Sequence, residues 1–144
     1  MNITSARPKD IPACADIWLS ASIEAHSFIS PDFWTTNYPA MLEQYLPASE
    51  VFIATEAETI AGFAALYQGT LVALFVLPAW WSKGVGSLLL KHAQTQHSEL
   101  TLTVYTQNSR AIGFYQRHGF TVQQKQVCSH TNESELLMLW KKQY

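Results

Sequence analysis

Apolar residues run almost unbroken from Leu71 to Leu77 (LVALFVL) and stop at Pro78. A short run of this kind, holding Val and Phe and closed by proline, predicts a strand buried on both faces. The period then changes. Val85, Leu88, Leu89 and His92 or Ala93 recur at i, i+3, i+4 and i+7/8, the stripe of an amphipathic helix. Between strand and helix lies a turn carrying Trp80, Trp81, Ser82, Lys83, Gly84, Val85 and Gly86.

The same test applied upstream predicts a first strand over Met1–Ala6, then a helix opened by Pro8-Lys9-Asp10 with Asp10 as its cap. Ile11, Cys14, Ala15, Trp18, Leu19 and Ser22 form the apolar face of that helix, with Trp18 in the core. The pattern fades over Glu24–Phe28, and Ser30-Pro31-Asp32 marks a break with Asp32 as the next cap. A second helix, roughly Phe33 to Leu46, should be kinked or split by Pro39. Val51–Thr55 and Ile60–Tyr67 predict a hairpin, and Gln68-Gly69-Thr70 turns the chain into the Leu71 strand, completing an antiparallel meander. Leu100–Tyr105 alternates Leu/Val against Thr as a half-buried strand does. Asn108-Ser109 is a capping pair before a helix with Ala111, Phe114, Tyr115 and His118 on one side, and Gly119 should end it in the left-handed conformation. Phe120–Val127 and Glu135–Trp140 are the last two strands, joined across Ser129–Ser134. The order β-α-α-β-β-β-α-β-α-β-β gives an α/β (α+β) fold: one mixed, mostly antiparallel sheet with helices on both faces, in a single domain over 1–144.

Composition narrows the function. With 144 residues, 48% apolar and 14% charged, the chain can bury a sizeable core. Five Trp, six Tyr and seven Phe are many for this length, so some are expected to line a cleft. A net charge of −2 without a basic run argues against nucleic acid as a partner. Cys14 and Cys128 are far apart and no histidines pair at ligand spacing, so neither a disulfide framework nor a metal site is expected. No apolar stretch is long enough to cross a membrane, and no charged segment followed by an apolar one opens the chain. A soluble cytoplasmic protein, monomeric or a homodimer, is the expectation.

The turn after Leu77 carries the first candidate chemistry. Strand, glycine turn and helix N-terminus together make an anion site, because free N–H groups point out of the first helical turn and the helix dipole favours negative charge there. Gly84 and Gly86 would let the backbone approach a phosphate where a Cβ would collide. Gly-x-Gly lacks the third glycine of a dinucleotide fingerprint, and no Gly-Lys-Ser/Thr follows.

Two motifs together resemble a known family. Val76-Leu-Pro78-Ala-Trp80-Trp81-Ser-Lys83-Gly84-Val-Gly86 resembles the Gln/Arg-x-x-Gly-x-Gly/Ala signature of the GNAT acyltransferases. Asn108-Ser-Arg-Ala111-Ile-Gly-Phe114-Tyr115-Gln-Arg117-His-Gly119-Phe120 is similar to that family's second signature, and the element order fits along the whole chain. The resemblance implies an acetyl-CoA-dependent N-acetyltransferase acting on a primary amine, in a protein lysine or N-terminus. It places the pantetheine arm along Leu74, Phe75 and Val76 as an added strand would lie, the pyrophosphate on the loop Ser82, Lys83, Gly84, Val85, Gly86 and Ser87, and Asn108 against the pantetheine. It gives Tyr115 the protonation of the departing thiolate; acetyl-CoA is the co-substrate and no metal is implied.

Three positions depart from the family pattern. Trp81 stands where Gln or Arg is usual, and Ser82 where Gly or a basic residue is common, which leaves Lys83 as the loop's only cation; Arg117 reaches either solvent or the 3′-phosphate. Thr103 occupies the position of the Glu found in many members with protein substrates, so no general base is assigned. Glu24, His26 and Trp34 border the expected amine site and are its candidate residues, with Tyr67 and Gln68 as further ones. Two rival readings stay open: an acyltransferase for a polyamine or drug-like amine, and a non-catalytic acyl-CoA-binding module of the same fold.

Overall fold

The computed structural model describes residues 1–143. Its strands are β1 (Asn2–Ser5), β2 (Glu50–Glu56), β3 (Thr59–Tyr67), β4 (Thr70–Val76), β5 (Glu99–Tyr105), β6 (Thr121–Val127) and β7 (Ser134–Lys141). The helices are α1 (Ile11–Ala25), α2 (Pro31–Ala40), α3 (Leu46–Ala48), α4 (Val85–Gln96) and α5 (Ser109–Arg117). All strands join one sheet in the order β1-β2-β3-β4-β5-β7-β6, antiparallel except between β4 and β5. The predicted meander is β2-β3-β4.

Alternation along the strands sorts the core into two layers. Phe52 and Ala54 of β2 and Ala64 and Leu66 of β3 pack with Leu89, Leu90 and Ala93 of α4. Val51, Ile53, Phe63 and Ala65 pack on the other face with Cys14, Ile17 and Trp18 of α1 and with Trp34 of α2.

Local signals account for the helix ends with two corrections. Ser30, not Asp32, is the N-cap of α2, its hydroxyl accepting the Asp32 N–H at 3.3 Å. The Asp10 carboxylate does not cap α1; it accepts the Arg7 N–H at 2.9 Å and closes a short 3-10 turn, Pro8–Asp10. After Pro39 the second helix opens into a π-helical turn, Met41–Tyr45, before α3. Proline supplies no N–H and its ring crowds the preceding turn, so a split there is the expected response. Gly119 follows α5 at φ 91°, as the capping pattern predicts.

The Leu71 run departs from expectation where function begins. Leu71 and Ala73 are buried, but Leu74, Phe75 and Val76 are only half-buried and Val72 is 50% exposed. The register passes from Leu66↔Leu71 to Ala65↔Ala73, so Val72 is an extra residue in β4, a bulge. Side chains two apart normally share a face; the bulge puts Leu71 in the α4 layer and Ala73 in the α1 layer. Beyond it β4 leaves its parallel neighbour. Thr70↔Thr101 is the single paired position between β4 and β5, with the two hydroxyls 3.1 Å apart. The run is therefore not buried on both faces, because one edge and part of one face open into a cleft.

Candidate active site

The cleft between the parting strands has a volume of about 1020 Å³. On its β4 wall, Leu77 donates its N–H to Ala61 of β3 at 2.8 Å. Hydrogen bonding alternates along an antiparallel pair, so Phe75 also turns its backbone toward β3 while Leu74 and Val76 turn theirs to the open edge. Trp81 Nε1 takes up the Val76 carbonyl at 2.8 Å. With the Val76 carbonyl so engaged, the Leu74 N–H and carbonyl and the Val76 N–H are left facing the cleft, ready to accept an extended, amide-bearing ligand as an added strand.

At the mouth of this edge stands the N-terminus of α4. Gly84 is its N-cap at φ 82°, a conformation costly for any residue with a Cβ. A Cβ built there meets nothing within 4 Å, so the glycine is needed for its backbone angle rather than for room. Gly86 behaves differently. A Cβ there would lie 3.4 Å from the Phe114 ring and 3.9 Å from Val76, ordinary contact distances, so packing alone does not demand a glycine at this position of the cleft wall. Ser82, Gly84, Val85, Gly86 and Ser87 line the cleft; Lys83 is exposed and outside the lining.

The opposite wall is the first turns of α5. Asn108 Oδ1 accepts the Ala111 N–H at 3.2 Å, which directs the amide nitrogen the other way, to 3.4 Å from His26 Nε2. With an amide N–H facing it, Nε2 is the acceptor nitrogen of His26. The ring is 6% exposed, stacks on Trp34 at 5.2 Å and meets the edge of Tyr105 at 5.2 Å. Burial lowers its pKa, opposed in part by the Ser22 carbonyl, so the ring is neutral at physiological pH. His26 thus lines the cleft with its Nε2 turned to the Asn108 amide. Trp34, 5% exposed and edge-on to Trp18 at 5.5 Å, is first a core residue that shows one side to the cleft. Glu24 is exposed at the rim.

Tyr115 lies nearly two helical turns beyond Asn108, on α5, edge-on to Phe114 at 5.3 Å and Phe120 at 5.6 Å. It lines the cleft, and burial pushes its phenol well above the ordinary range. Thr103 faces the cleft from β5, so no carboxylate stands at that position. Tyr67, 48% exposed, and Gln68 lie outside the lining.

Sequence reasoning missed several lining residues. Arg110 reaches back to the glycine loop, and Tyr105, Cys128 and Glu135 close the far end. Tyr105 has its hydroxyl 3.8 Å from the Cys128 sulfur, and burial pushes it up to about 12. Glu135 pairs with Tyr105 across β5 and β7 and accepts the Gln126 side-chain N–H at 2.6 Å. No local pattern marks these residues; strand pairing collects them. The described residues contain no group of three or more His, Cys, Asp or Glu placed to hold a metal ion, and no helix long and apolar enough to cross a membrane.

A family model for the acetyltransferase (GNAT) domain matches residues 47–122, from the start of the meander into β6. The chain belongs to the GNAT family. It is 31% identical over 142 residues to the peptidyl-lysine N-acetyltransferase YiaC of Escherichia coli, covering 96% of this chain and 95% of the relative. It is likewise 31% identical to the peptidyl-lysine N-acetyltransferase YjaB of E. coli over 123 residues, 85% of this chain and 83% of that one. The solution structure of apo YjaB superposes with a TM-score of 0.84 at 27% identity, covering 99% and 98% of the two chains. The PaiA N-acetyltransferase of Thermoplasma acidophilum, solved with coenzyme A, shares the fold with a TM-score of 0.79 at 21% identity over 98% and 99%. This GNAT protein is an acetyl-CoA-dependent N-acetyltransferase. The open strand edge and the Gly84 turn fit the two parts of such a co-substrate, an amide-bearing arm and a pyrophosphate.

Proposed function

We propose that the chain, as one domain over residues 1–144, transfers the acetyl group of acetyl-CoA to the ε-amine of a lysine in a peptide or protein. The observation that carries this reading is the parting of β4 and β5, which sets the free edge of Leu74 and Val76 and the Tyr115 phenol in one cleft. The thioester supplies an activated acetyl group. Leu74 and Val76 hold the arm by backbone hydrogen bonds, the α4 N-terminus holds the phosphates, and Asn108 braces the arm from the other side. The neutral amine attacks the thioester carbonyl, and the C–N bond forms as the C–S bond breaks. Tyr115 donates its proton to the departing sulfur, and the proton the amine gives up passes through water to restore the phenol. Burial raises its pKa, but the same dry surroundings raise the proton affinity of a thiolate left beside it, so the transfer remains matched.

The acceptor binds at the end of the cleft lined by α1 and β7. The carboxylates in the lining there, Glu24 and Glu135, favour a cationic amine. Names of the two E. coli relatives given above agree with a lysine side chain as acceptor. Two unpaired cysteines suit a reducing compartment, the cytoplasm.

The test is a panel of lysine peptides, peptides with only an N-terminal amine, and polyamines, assayed for CoA release with the products located by mass spectrometry. Acetyl groups on lysine side chains are the expected result. Turnover of polyamines alone would replace this reading with the small-molecule one.

Asn108 is expected to serve both the fold and the arm. Asn108→Ala should cost about 1 kcal/mol of stability through the lost cap. Asn108→Ser restores the Ala111 hydrogen bond without the amide toward His26, so its stability should recover while acetyl-CoA KM stays raised. A Ser variant with wild-type kinetics would reduce Asn108 to a cap.

A further inference from the structure

We infer that Arg110 is the pyrophosphate cation of this enzyme, carried to the glycine loop by α5 and held there by Trp81 and Ser82. The inference rests on the acetyl-CoA reading above. The loop's own cation, Lys83, is exposed and outside the cleft lining, whereas Arg110 lies in it beside Ser82, Gly84 and Gly86. Arg110 Nη2 donates to Ser82 Oγ at 2.9 Å, and its guanidinium carbon lies 5.3 Å from the Trp81 ring centroid, within cation–π range. The indole is itself pinned, because its Nε1 donates to the Val76 carbonyl at 2.8 Å.

The arrangement makes sense as a phosphate clamp and little sense as a brace. Arg110 and Ser82 are both exposed, and a hydrogen bond in water contributes little to folding. Ser82 nevertheless sits at φ 64°, a left-handed conformation unfavourable for serine, which presents its hydroxyl to Arg110. Accepting from Arg110 leaves the Ser82 O–H free to donate, and most of the five guanidinium N–H groups remain uncommitted. Stacking on a fixed indole orders the side chain before any ligand arrives, so less freedom is lost when it meets a phosphate. The α4 N-terminus supplies backbone donors on one side of the anion and Arg110 supplies charge on the other.

The full chain and its variants are to be titrated calorimetrically with CoA, with dephospho-CoA (no 3′-phosphate) and, at millimolar concentration, with pantetheine (no phosphate). Arg110→Ala should weaken CoA and dephospho-CoA by the same factor, about tenfold for a lost charge-assisted contact at an exposed site. Pantetheine affinity and the melting temperature of the free protein should not change. Arg110→Lys should recover only part of the loss, since an ammonium neither stacks as a plane nor donates in a fork. Affinity within twofold of wild type in the Ala variant overturns the inference. So does weakening of CoA but not dephospho-CoA, which moves Arg110 to the 3′-phosphate, and so does equal weakening of pantetheine, which makes it structural. A wild-type protein that binds none of the three overturns the acetyl-CoA reading instead.

Discussion

Replacing Tyr115 by Phe is expected to lower kcat by about 10²–10⁴-fold, the range general acid catalysis contributes, while CoA affinity stays as it was. The substitution removes one hydroxyl and keeps the ring that packs on Phe114 and Phe120. Among the described residues that hydroxyl has no hydrogen-bond partner, so its removal orphans nothing in the free protein and stability should fall little. Tyr115→Ala would confuse the result by opening a cavity in the α5 layer. The pH dependence follows from the direction of the shift. A phenol must be protonated to donate, and burial moves its ionisation above the ordinary tyrosine range. Activity should therefore rise as the acceptor amine deprotonates and show no alkaline fall up to about pH 10, the unperturbed tyrosine value. A pH–rate profile under conditions where chemistry limits turnover reads both effects. Equal kcat in the two proteins would mean that water protonates the thiolate and that Tyr115 is a packing residue.

Saturating CoA is expected to raise the melting temperature strongly, and Gly84→Ala should remove most of that rise. A ligand at 100 times its Kd stabilises the native state by about 2.7 kcal/mol. For a chain of this size that is roughly 5–10 °C. Gly84 holds φ 82° at the N-cap of α4, where a Cβ costs about 1–2 kcal/mol of backbone strain though it touches nothing within 4 Å. The variant should lose a few degrees when free. The loop then relieves its strain by leaving the left-handed conformation, and the N–H groups of the first turn no longer converge on the phosphates. Gly86→Ala is the contrasting variant. Its Cβ would meet Phe114 at an ordinary contact distance of 3.4 Å in an unstrained helical position, so the free protein's stability should change little and the ligand-induced rise should stay close to wild type. Thermal melts of the three proteins with and without CoA decide the point. A Gly84→Ala protein with the full rise would place the phosphates away from this turn.

Much of this molecule was legible in short stretches of sequence, and the reason is physical. Helix periodicity, strand alternation, the Asn108 cap and the Gly119 stop are settled by residues within a turn or two of each other, so one chain read in order reveals them. The same holds for the strand–Gly84–helix turn, because a left-handed angle at a helix start is a local demand. The long apolar run was misread as buried on both faces for the opposite reason. Its exposure depends on the Val72 bulge and on the departure of β5, which strand register controls and composition does not. That α5 lays the Phe114 ring beside Gly86 was not legible either, because the two lie in separate elements. Arg110 on Trp81, and His26 behind Asn108, join residues 29 and 82 positions apart. Such contacts exist only once the sheet has brought α1, the glycine loop and α5 around one cleft. Sequence alone determined the elements and the chemistry they could carry; the parting of two strands decided where that chemistry meets.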